Sequence, residues 1–547
     1  MLKKIEGKAL RLSMTLVVSL MLPVVILLFT EHNPLWISVA CLLIPLGGYL
    51  LFASAARRSG VMVWLALPLI FFSAFQIVIS YLFRSSVVAA DMFINLLTTN
   101  SAEAGELLSN IYPAIIFVVV IYLPLLWVAV RHIRRRIILP NSIRIRIATA
   151  GVIIALLGCG ALVAGGRHRT KQVLRDELFP ANVIYNLGVA ISEKSKIDNF
   201  FSTSQHFSFG AKRHHTPSAK EIYVLVIGEA SRAASWQLYG YHRETNPRLS
   251  KRNDITIFSD VVTQSNTTHK SVPMILSSVH TSQHRELYRR KGLPALFNEA
   301  GFTTYFLSCQ SPQGAMIDHL ASDAHHIIYM DAPRLDMQLV NTMRLALAKD
   351  NSPKLLFILH CYGSHFSYHQ RYPQEFAHFT PDDDVAIHRK NREMIRNAYD
   401  NSIRYTDYLL SEVISTLESQ DDAITAMLYC ADHGEDLFDG GRNRFLHASP
   451  TATCYQLHVA SLAWFSPRYC KHYPEKSEAA ELNSTAPATT YSVFHTMADM
   501  ADIFSPYIEP RASLVYRYFD SAATRYYLND HNRAVKITPE MLLTPHL

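Results

Sequence analysis

The 547-residue chain combines 49% hydrophobic residues with only 18% charged ones, which is too apolar for a single soluble globule. Its net charge of +7 is unevenly distributed. Residues 1–170 carry 15 Lys and Arg against 5 Asp and Glu, whereas residues 171–547 carry 37 against 40. Because the larger part is slightly acidic and shows no basic stripe, the sequence predicts no nucleic-acid partner.

Five apolar runs fill the N-terminal third of the chain, and each is about long enough to cross ~30 Å of hydrocarbon. They occupy residues 10–30, 34–53, 61–83, 112–130 and 147–165. They do not alternate with polar faces as the core helices of soluble domains do. The first run has no small-residue cleavage site, so we interpret it as a retained span and not as a signal peptide. The sequence therefore predicts a five-span transmembrane domain over residues 1–170.

Basic residues indicate the orientation of these spans. Arg57 and Arg58 lie between the second and third runs, and six arginines lie within residues 131–146, between the fourth and fifth. The positive-inside rule places these links and the N-terminus in the cytoplasm. Five spans then put everything after Arg167 on the outer side, together with the acidic link at 84–111. We expect residues 171–220 to be a connector, either lying on the membrane surface or loose, and residues 221–547 to be an exported domain.

The exported part alternates β-rich and helical runs. Predicted strands occupy residues 221–227, 303–307, 354–359 and 426–430, and predicted helices occupy residues 293–300, 335–348 and 388–417. Such alternation favours an α/β sandwich with a mostly parallel sheet. In these sheets the ligand site forms beyond the carboxyl ends of the strands, so we expect the chemistry-bearing residues there.

Polar side chains follow three of the predicted strands. Glu229 follows the first, His365 lies shortly after the third, and Asp432 and His433 follow the fourth. Singly, these residues are also compatible with helix caps or a satisfied core histidine. Together at strand ends, two carboxylates and an imidazole form the mixed oxygen and nitrogen shell that suits Zn²⁺ or Mn²⁺.

A candidate nucleophile lies in the segment NTTHKSVP at 266–273, which follows a strand-like run at 255–262 and precedes an apolar helical run. A hydroxyl at the start of a helix meets backbone N–H groups and the positive end of the helix dipole, which stabilise an alkoxide and an incoming phosphate. Metal contact lowers the pKa of such a hydroxyl further. Thr267 and Thr268 both fit, and a simple N-cap role is the alternative.

Several motifs in combination resemble a known family. They are VIGEASR at 226–232, YGYHRETNP at 239–247, GSH at 363–365, RYP at 371–373, YDN at 399–401 and DHGE at 432–435. With five spans before them, these motifs resemble the membrane-bound phosphoethanolamine transferases of Gram-negative bacteria, which include the lipid A modifying enzymes behind polymyxin resistance. The resemblance implies an inner-membrane protein with a periplasmic catalytic domain of the alkaline phosphatase and sulfatase fold.

The resemblance also implies roles for particular residues. Aligning Ser271-Val272-Pro273 with the family pattern makes Thr268 the nucleophile that becomes phosphorylated, with Thr267 one position away. The implied ligands of one or more zinc ions are Glu229, Thr268, Asp432 and His433, and the implied phosphate-binding histidines are His365 and His447. Asn100 and Glu103 resemble the family segment that contacts the ethanolamine amine, although a solvated helix face is the alternative reading of both.

The function implied is transfer of phosphoethanolamine from phosphatidylethanolamine, a membrane lipid, to lipid A or another lipopolysaccharide or envelope glycan. The paired cysteines that surround the nucleophile in the best-known lipid A branch are absent from residues 265–278, so the acceptor stays open. A membrane phosphoglycerol transferase or a phosphodiesterase is the nearest rival. A sulfatase lacks support because the Cys/Ser-x-Pro-x-Arg pattern is missing, and a catalytically dead scaffold would have lost the metal ligands.

Overall fold

The computed structural model describes residues 2–31, 33–83, 87–98, 101–213, 215–312, 314–441, 444–449 and 451–543. The chain divides into two compact units, Met1–Leu97 with Glu103–Ser192, and Thr98–Ala102 with Glu193–Leu547. We call them the N-terminal unit and, because the sequence predicts the reactive residues in it, the catalytic unit. The main division, between Ser192 and Glu193, falls inside the segment at 171–220 that the sequence predicts to be a connector, and the predicted boundaries themselves stay a prediction.

The N-terminal part of the chain is helical. Its helices are α1 (Leu2–Thr30), α2 (Leu35–Ser54), α3 (Ser59–Leu65), α4 (Leu67–Phe83), α5 (Ala90–Thr98), α6 (Ser101–Arg134), α7 (Asn141–Ala164) and α8 (Ala181–Asp198). Among the described residues, four helices are long and apolar enough to cross a membrane, or five if the bent pair α3 and α4 counts as one span. The predicted count of five spans is thus compatible with the fold.

The third predicted span is not the continuous helix that the run at 61–83 suggests. Helices α3 and α4 meet at a bend of 57°. Pro68, the second residue of α4, explains the break, because its nitrogen has no hydrogen to donate and its ring clashes with the carbonyl of Trp64 one turn earlier. The helical hydrogen bonding resumes with the amide of Ile70, which donates to the carbonyl of Ala66 at 2.8 Å.

Helices α2 and α7 pack backbone against backbone through glycines. A Cβ atom added at Gly47 would lie 2.6 Å from the carbonyl oxygen of Gly151, and one added at Gly158 would lie 2.8 Å from the amide nitrogen of Ile44. Small residues let helix backbones approach closely. They are typical of helix contacts in an apolar medium, where the hydrophobic effect does not drive association. The close packing of α2 against α7 therefore depends on the absence of side chains at these glycines.

The catalytic unit is built on a seven-stranded sheet. In chain order its strands are β1 (Lys220–Gly228), β2 (Ile255–Ile257), β3 (Thr303–Ser308), β4 (His326–Tyr329), β5 (Lys354–His360), β6 (Ala423–Ala431) and β7 (Ser461–Phe465). The order across the sheet is β2-β7-β6-β1-β5-β3-β4. Within this sheet β7 runs opposite to the other six strands, which confirms the predicted, mostly parallel arrangement.

Continuous apolar sequences explain why β1, β5 and β6 lie at the centre. Their residues after the first are almost all buried, as expected for strands covered on both faces. The strand-like run at 255–262 is an exception, because it forms two short strands, Ile255–Ile257 and Val261–Val262, in different sheets. Asp260 interrupts the apolar run between them.

Helices cover the sheet. Those of six residues or more are α9 (Thr268–Ile275), α10 (Leu293–Glu299), α11 (Met316–Ala321), α12 (Met337–Lys349), α13 (Arg392–Glu418), α14 (Pro467–His472), α15 (Pro474–Leu482) and α16 (Tyr491–Met500). Helices α12 and α13 pack together, and α16 packs on α9 and α10. The three predicted helices agree with α10, α12 and α13 to within about four residues at their ends.

A buried ion pair stands at the start of the central strand. The guanidinium of Arg213 donates to both carboxylate oxygens of Glu221, at 2.6 and 2.7 Å, and both side chains are almost fully buried. The hydroxyl of Tyr223 donates to the same carboxylate at 3.0 Å. Glu221 is thereby satisfied only while Arg213 is in place.

We expect Arg213→Ala to lower the free energy of unfolding by about 3–5 kcal/mol, because it leaves the Glu221 carboxylate buried without its cation. The midpoint of thermal unfolding of the detergent-solubilised chain measures this loss. Replacing both partners, Arg213→Met with Glu221→Leu, should recover most of it. A single variant as stable as the parent would contradict the interpretation.

Candidate metal centre and active site

The sheet brings two carboxylates and one imidazole to a single point. Strands β1 and β6 are parallel neighbours, with Gly228 paired to Ala431, so the residues that follow them, Glu229 and Asp432, emerge side by side. The amide of Asp432 donates to the carbonyl of Gly228 at 2.9 Å and extends the pairing by one residue. Ligand atoms of Glu229, Asp432 and His433 all lie within 4.8 Å of one another, and all three residues are buried.

The ring of His433 is oriented by its own backbone surroundings. Its Nδ1 donates to the carbonyl of Gly434 at 3.0 Å, which leaves Nε2 with the lone pair. Nε2 lies 3.4 Å from a carboxylate oxygen of Glu229 and 3.3 Å from one of Asp432. An Nδ1–H bonded to a carbonyl is the usual support of a metal-binding histidine.

Thr268 adds a hydroxyl to this cluster. It is the first residue of α9, and its Oγ1 lies 3.0 Å from His433 Nε2 and 3.3 Å from both carboxylate oxygens of Glu229. The neighbouring Thr267 precedes the helix, and its hydroxyl lies 3.3 Å from that of Ser265 instead. Of the two candidate threonines, the structure therefore brings Thr268 to the cluster.

The electrostatics of the cluster fit a bound cation. Burial, followed by the proximity of Asp432, raises the pKa of Glu229 well above its usual value, and burial raises the pKa of Asp432 to about 6. Burial and the neighbouring His447 lower the pKa of His433 well below its usual value. Two carboxylates that repel each other beside a neutral imidazole are the environment that a divalent cation stabilises, and the donor set of oxygens and one nitrogen suits Zn²⁺. The residues present fit the metal that the sequence predicts.

A tight loop carrying His365 packs against Glu229. Gly363 has φ +49°, and a Cβ atom there would lie 2.7 Å from the carbonyl oxygen and 2.8 Å from the amide nitrogen of Glu229. The amide of Ser364 donates to the same Glu229 carbonyl at 3.0 Å. The amides of Tyr362 and Gly363 donate to the buried carboxylate of Asp336 at 2.7 and 2.8 Å. Only glycine fits at 363, and the loop is held from both sides.

His365 and His447 are the two further histidines that the sequence singles out. His365 Nδ1 donates to the carbonyl of Phe366 at 2.6 Å, and burial, with Arg371 and His447 nearby, lowers its pKa to about 3. His447 Nδ1 lies 2.9 Å from Glu435 Oε2, and the rings of His433 and His447 have centroids 4.1 Å apart. In both histidines Nε2 is the ring nitrogen left to face a ligand.

The two residues predicted for the ethanolamine amine cannot be placed in the site. Asn100 lies outside the described residues. Glu103 lies on α6, but its side chain is likewise outside the description. Their role stays a prediction.

Two side chains of the site have no role assigned from the sequence. Gln310, two residues after the end of β3, donates from Nε2 to Glu229 Oε2 and to the carbonyl of Cys361, both at 3.0 Å. Glu435 accepts from the hydroxyl of Tyr368 at 2.9 Å and holds His447. The rule that ligand sites form at strand ends points to Gln310, because β3 is a strand of the same parallel sheet.

Two families of known proteins match parts of the chain. Residues 221–503 match the sulfatase family, and residues 50–195 match the family described as phosphoethanolamine transferase EptA/EptB. The fold and site thus define a sulfatase-type domain. The sulfatase match covers more than half of the chain, and the chain belongs to this family.

Individual relatives are distant. The putative transferase YhbX of Escherichia coli K12 is 27% identical over 334 residues, which is 58% of this chain and 58% of that protein. Phosphoethanolamine transferase EptA of Salmonella typhimurium is 29% identical over 319 residues, 55% of this chain and 57% of EptA. The match therefore spans under two thirds of each relative. The structure of the integral membrane protein EptA of Neisseria meningitidis superposes with a TM-score of 0.71 at 22% identity, covering 93% of this chain and 97% of that one.

The contact of Gln310 with Glu229 makes a testable prediction about metal affinity. Gln310→Leu removes the N–H that holds one oxygen of Glu229, and we expect the dissociation constant for Zn²⁺ to rise about tenfold or more, as for other supporting groups of metal ligands. Competition with a chelator measures it. Gln338→Leu is the matched control, because that amide bonds to the backbone of Asp331 and not to a metal ligand. Equal zinc affinity in both variants would contradict the assignment.

Proposed function

We propose that this chain is a zinc-dependent transferase that moves phosphoethanolamine from phosphatidylethanolamine to lipid A or another lipopolysaccharide or envelope glycan acceptor. The observation that carries the proposal is the position of the Thr268 hydroxyl, which lies within 3.3 Å of a carboxylate and an imidazole of the candidate metal group. The match of residues 50–195 to the EptA/EptB family and the name of the relative EptA support phosphoethanolamine as the transferred group.

The proposed reaction is a two-step exchange at phosphorus. In the first step, Oγ1 of Thr268 forms a bond to the phosphorus of the donor, the bond to the glycerol oxygen breaks, and diacylglycerol leaves with a proton. In the second step, a phosphate or hydroxyl oxygen of the acceptor bonds to the same phosphorus and gives up its proton, and the bond to the Thr268 oxygen breaks as that oxygen takes up a proton. Atoms balance because one P–O bond forms and one breaks in each step.

Glu229, Asp432, His433 and Thr268 itself would hold the zinc. Zinc bound there supplies charge neutralisation and lowers the pKa of the attacking hydroxyl. The chain positions that hydroxyl at the start of α9, where backbone N–H groups face an incoming phosphate. His365 and His447, each with Nδ1 engaged, present Nε2 to phosphate oxygens or to the leaving group.

We place this reaction at the periplasmic face of the bacterial inner membrane, following the arginine distribution and the apolar helices. The donor is then a lipid of the bilayer that the N-terminal helices cross. A phosphoglycerol transferase or a phosphodiesterase would use the same cluster but leave a different product. Mass spectrometry of lipid A and lipopolysaccharide core from cells with and without this protein separates the three by the mass added to the glycolipid.

The two neighbouring threonines provide a sharp test of the nucleophile. We expect Thr268→Ala to lower transfer at least about a thousandfold, since it removes the attacking oxygen, and to abolish the phosphorylated peptide covering 266–273. Thr267→Ala is the matched control, because that hydroxyl does not contact the metal group, and it should retain both activity and phosphopeptide. Incubation with phosphatidylethanolamine followed by peptide mass spectrometry makes the measurement. A phosphopeptide in Thr268→Ala that disappears in Thr267→Ala would sink the assignment.

A further inference from the structure

A wide, polar groove opens on the catalytic unit apart from the metal group, with a volume of about 570 Å³. One wall is the segment from Thr281 to Glu286 with Arg290, and the other is contributed by Asn532 and Ala534. We call it the basic groove. We propose that it binds a phosphate group of the acceptor lipid, one that does not itself receive phosphoethanolamine. This inference rests on the proposed function.

The C-terminal wall of the groove is joined to the segment that carries Thr268. It belongs to a hairpin formed by the strands Tyr526–Leu528 and Ala534–Lys536. The amide of Leu528 donates to the carbonyl of Gln264 at 2.7 Å, and the ammonium of Lys270 donates to the carbonyl of Asn529 at 2.9 Å. A ligand in the groove therefore lies against a hairpin that is hydrogen-bonded to Gln264, before Thr268, and to Lys270, after it.

The other wall reaches the part of the catalytic unit that follows the N-terminal unit in sequence. Tyr288, which lies between Glu286 and Arg290 in sequence, bonds through its hydroxyl to the carboxylate of Glu193, and its carbonyl accepts from the hydroxyl of Thr203 at 2.6 Å. Both partners lie within about 40 residues of the end of α7, the last candidate span. One wall of the groove is thus bonded to Glu193 and Thr203, and the other to the segment that carries Thr268.

The charge of the groove suits an anion. Arg285 and Arg290 line it with His284, against the single carboxylate of Glu286. Glu286 lies 3.9 Å from Arg290, too far for a good hydrogen bond, and Arg285 makes no ion pair or hydrogen bond within the part of the chain that the structure describes. Burial lowers the pKa of His284; the nearby carboxylate of Glu193 opposes this, whereas Lys270, Arg285 and Lys196 add to it. Two guanidinium groups beside an open cleft of this size are a typical phosphate-binding arrangement.

The acceptor fits this groove better than the donor does. The phosphate of phosphatidylethanolamine must reach Thr268 itself, and the lipid carries no second anion. A bis-phosphorylated glycolipid such as lipid A offers one phosphate to the phosphothreonine and keeps another for recognition elsewhere. The groove therefore predicts a preference for acceptors with at least two anionic groups.

The test compares a double variant, Arg285→Gln combined with Arg290→Gln, with the matched control Arg289→Gln. The side chain of Arg289 is 71% exposed and does not line the groove. The full-length protein is assayed in vesicles of phosphatidylethanolamine with bis-phosphorylated or monophosphoryl lipid A. Formation of phosphothreonine measures the donor step, and labelling of lipid A measures the acceptor step. Inorganic phosphate is titrated separately as a competitor, to separate a lipid phosphate from a free one.

We expect the double variant to raise KM for bis-phosphorylated lipid A about tenfold, the loss of one or two charge-assisted hydrogen bonds, with unchanged kcat. With monophosphoryl lipid A the difference from the parent should shrink to less than about twofold, because the recognised phosphate is gone. The control should match the parent with both acceptors. If the double variant folds poorly, the exposed Arg285→Gln alone carries the comparison.

Three results would overturn the inference. The first is equal KM in the double variant and the control with bis-phosphorylated lipid A. The second is an equal rise in KM with both acceptors. The third is that the double variant weakens competition by inorganic phosphate but leaves KM for lipid A unchanged, because the groove would then bind free phosphate and not the lipid. A parent protein that forms no phosphothreonine from phosphatidylethanolamine would instead overturn the proposed function, so the two failures are distinguishable.

Discussion

The candidate site of the catalytic unit depends on two buried carboxylates, those of Glu229 and Asp432, that lie side by side. Glu229 and Asp432 lie beside each other because β1 and β6 are parallel neighbours that end at the same level. Burial raises the pKa of both carboxyl groups, and the nearby charge of Asp432 raises the pKa of Glu229 further, so the arrangement is costly without a cation. The surrounding contacts compensate, since Asp432 accepts from the amides of Ala230 and His433, and Glu229 accepts from Gln310. The parallel sheet enforces a geometry that a metal ion completes.

This constraint explains which parts of the site the sequence predicts. Glu229, Asp432 and His433 directly follow apolar strands, so strand pattern and the topology rule suffice to bring them together. The choice between Thr267 and Thr268 is different, because the two hydroxyls are adjacent in sequence but Thr267 is in extended backbone and Thr268 begins the helix. Only the docking of α9 decides which hydroxyl meets His433, and that docking is a tertiary contact. Gln310 carries no charge and belongs to no recognised motif, so its bond to Glu229 is visible only in the structure.

In the fold, too, some features follow from the sequence pattern and others only from tertiary contacts. Long apolar strands and the periodic helix α13 are predicted well because burial alone determines them. The bend between α3 and α4 was predictable from Pro68, but the apolar run conceals it when only hydropathy is read. The basic groove could not be predicted, because its walls are more than two hundred residues apart in sequence and neither carries a motif.

The contact at Gly363 links the two halves of the site mechanically. Because its α-carbon rests on the backbone of Glu229, the loop bearing His365 and the strand end bearing a candidate ligand form one rigid piece. Any displacement of the sheet edge moves the imidazole and the carboxylate together, and their separation is preserved. In the proposed reaction, a phosphoryl group on Thr268 would therefore face an imidazole and a carboxylate that are held together by this contact. If the chain transfers a group between two lipids as proposed, the motion that admits each of them must occur in other parts of the molecule.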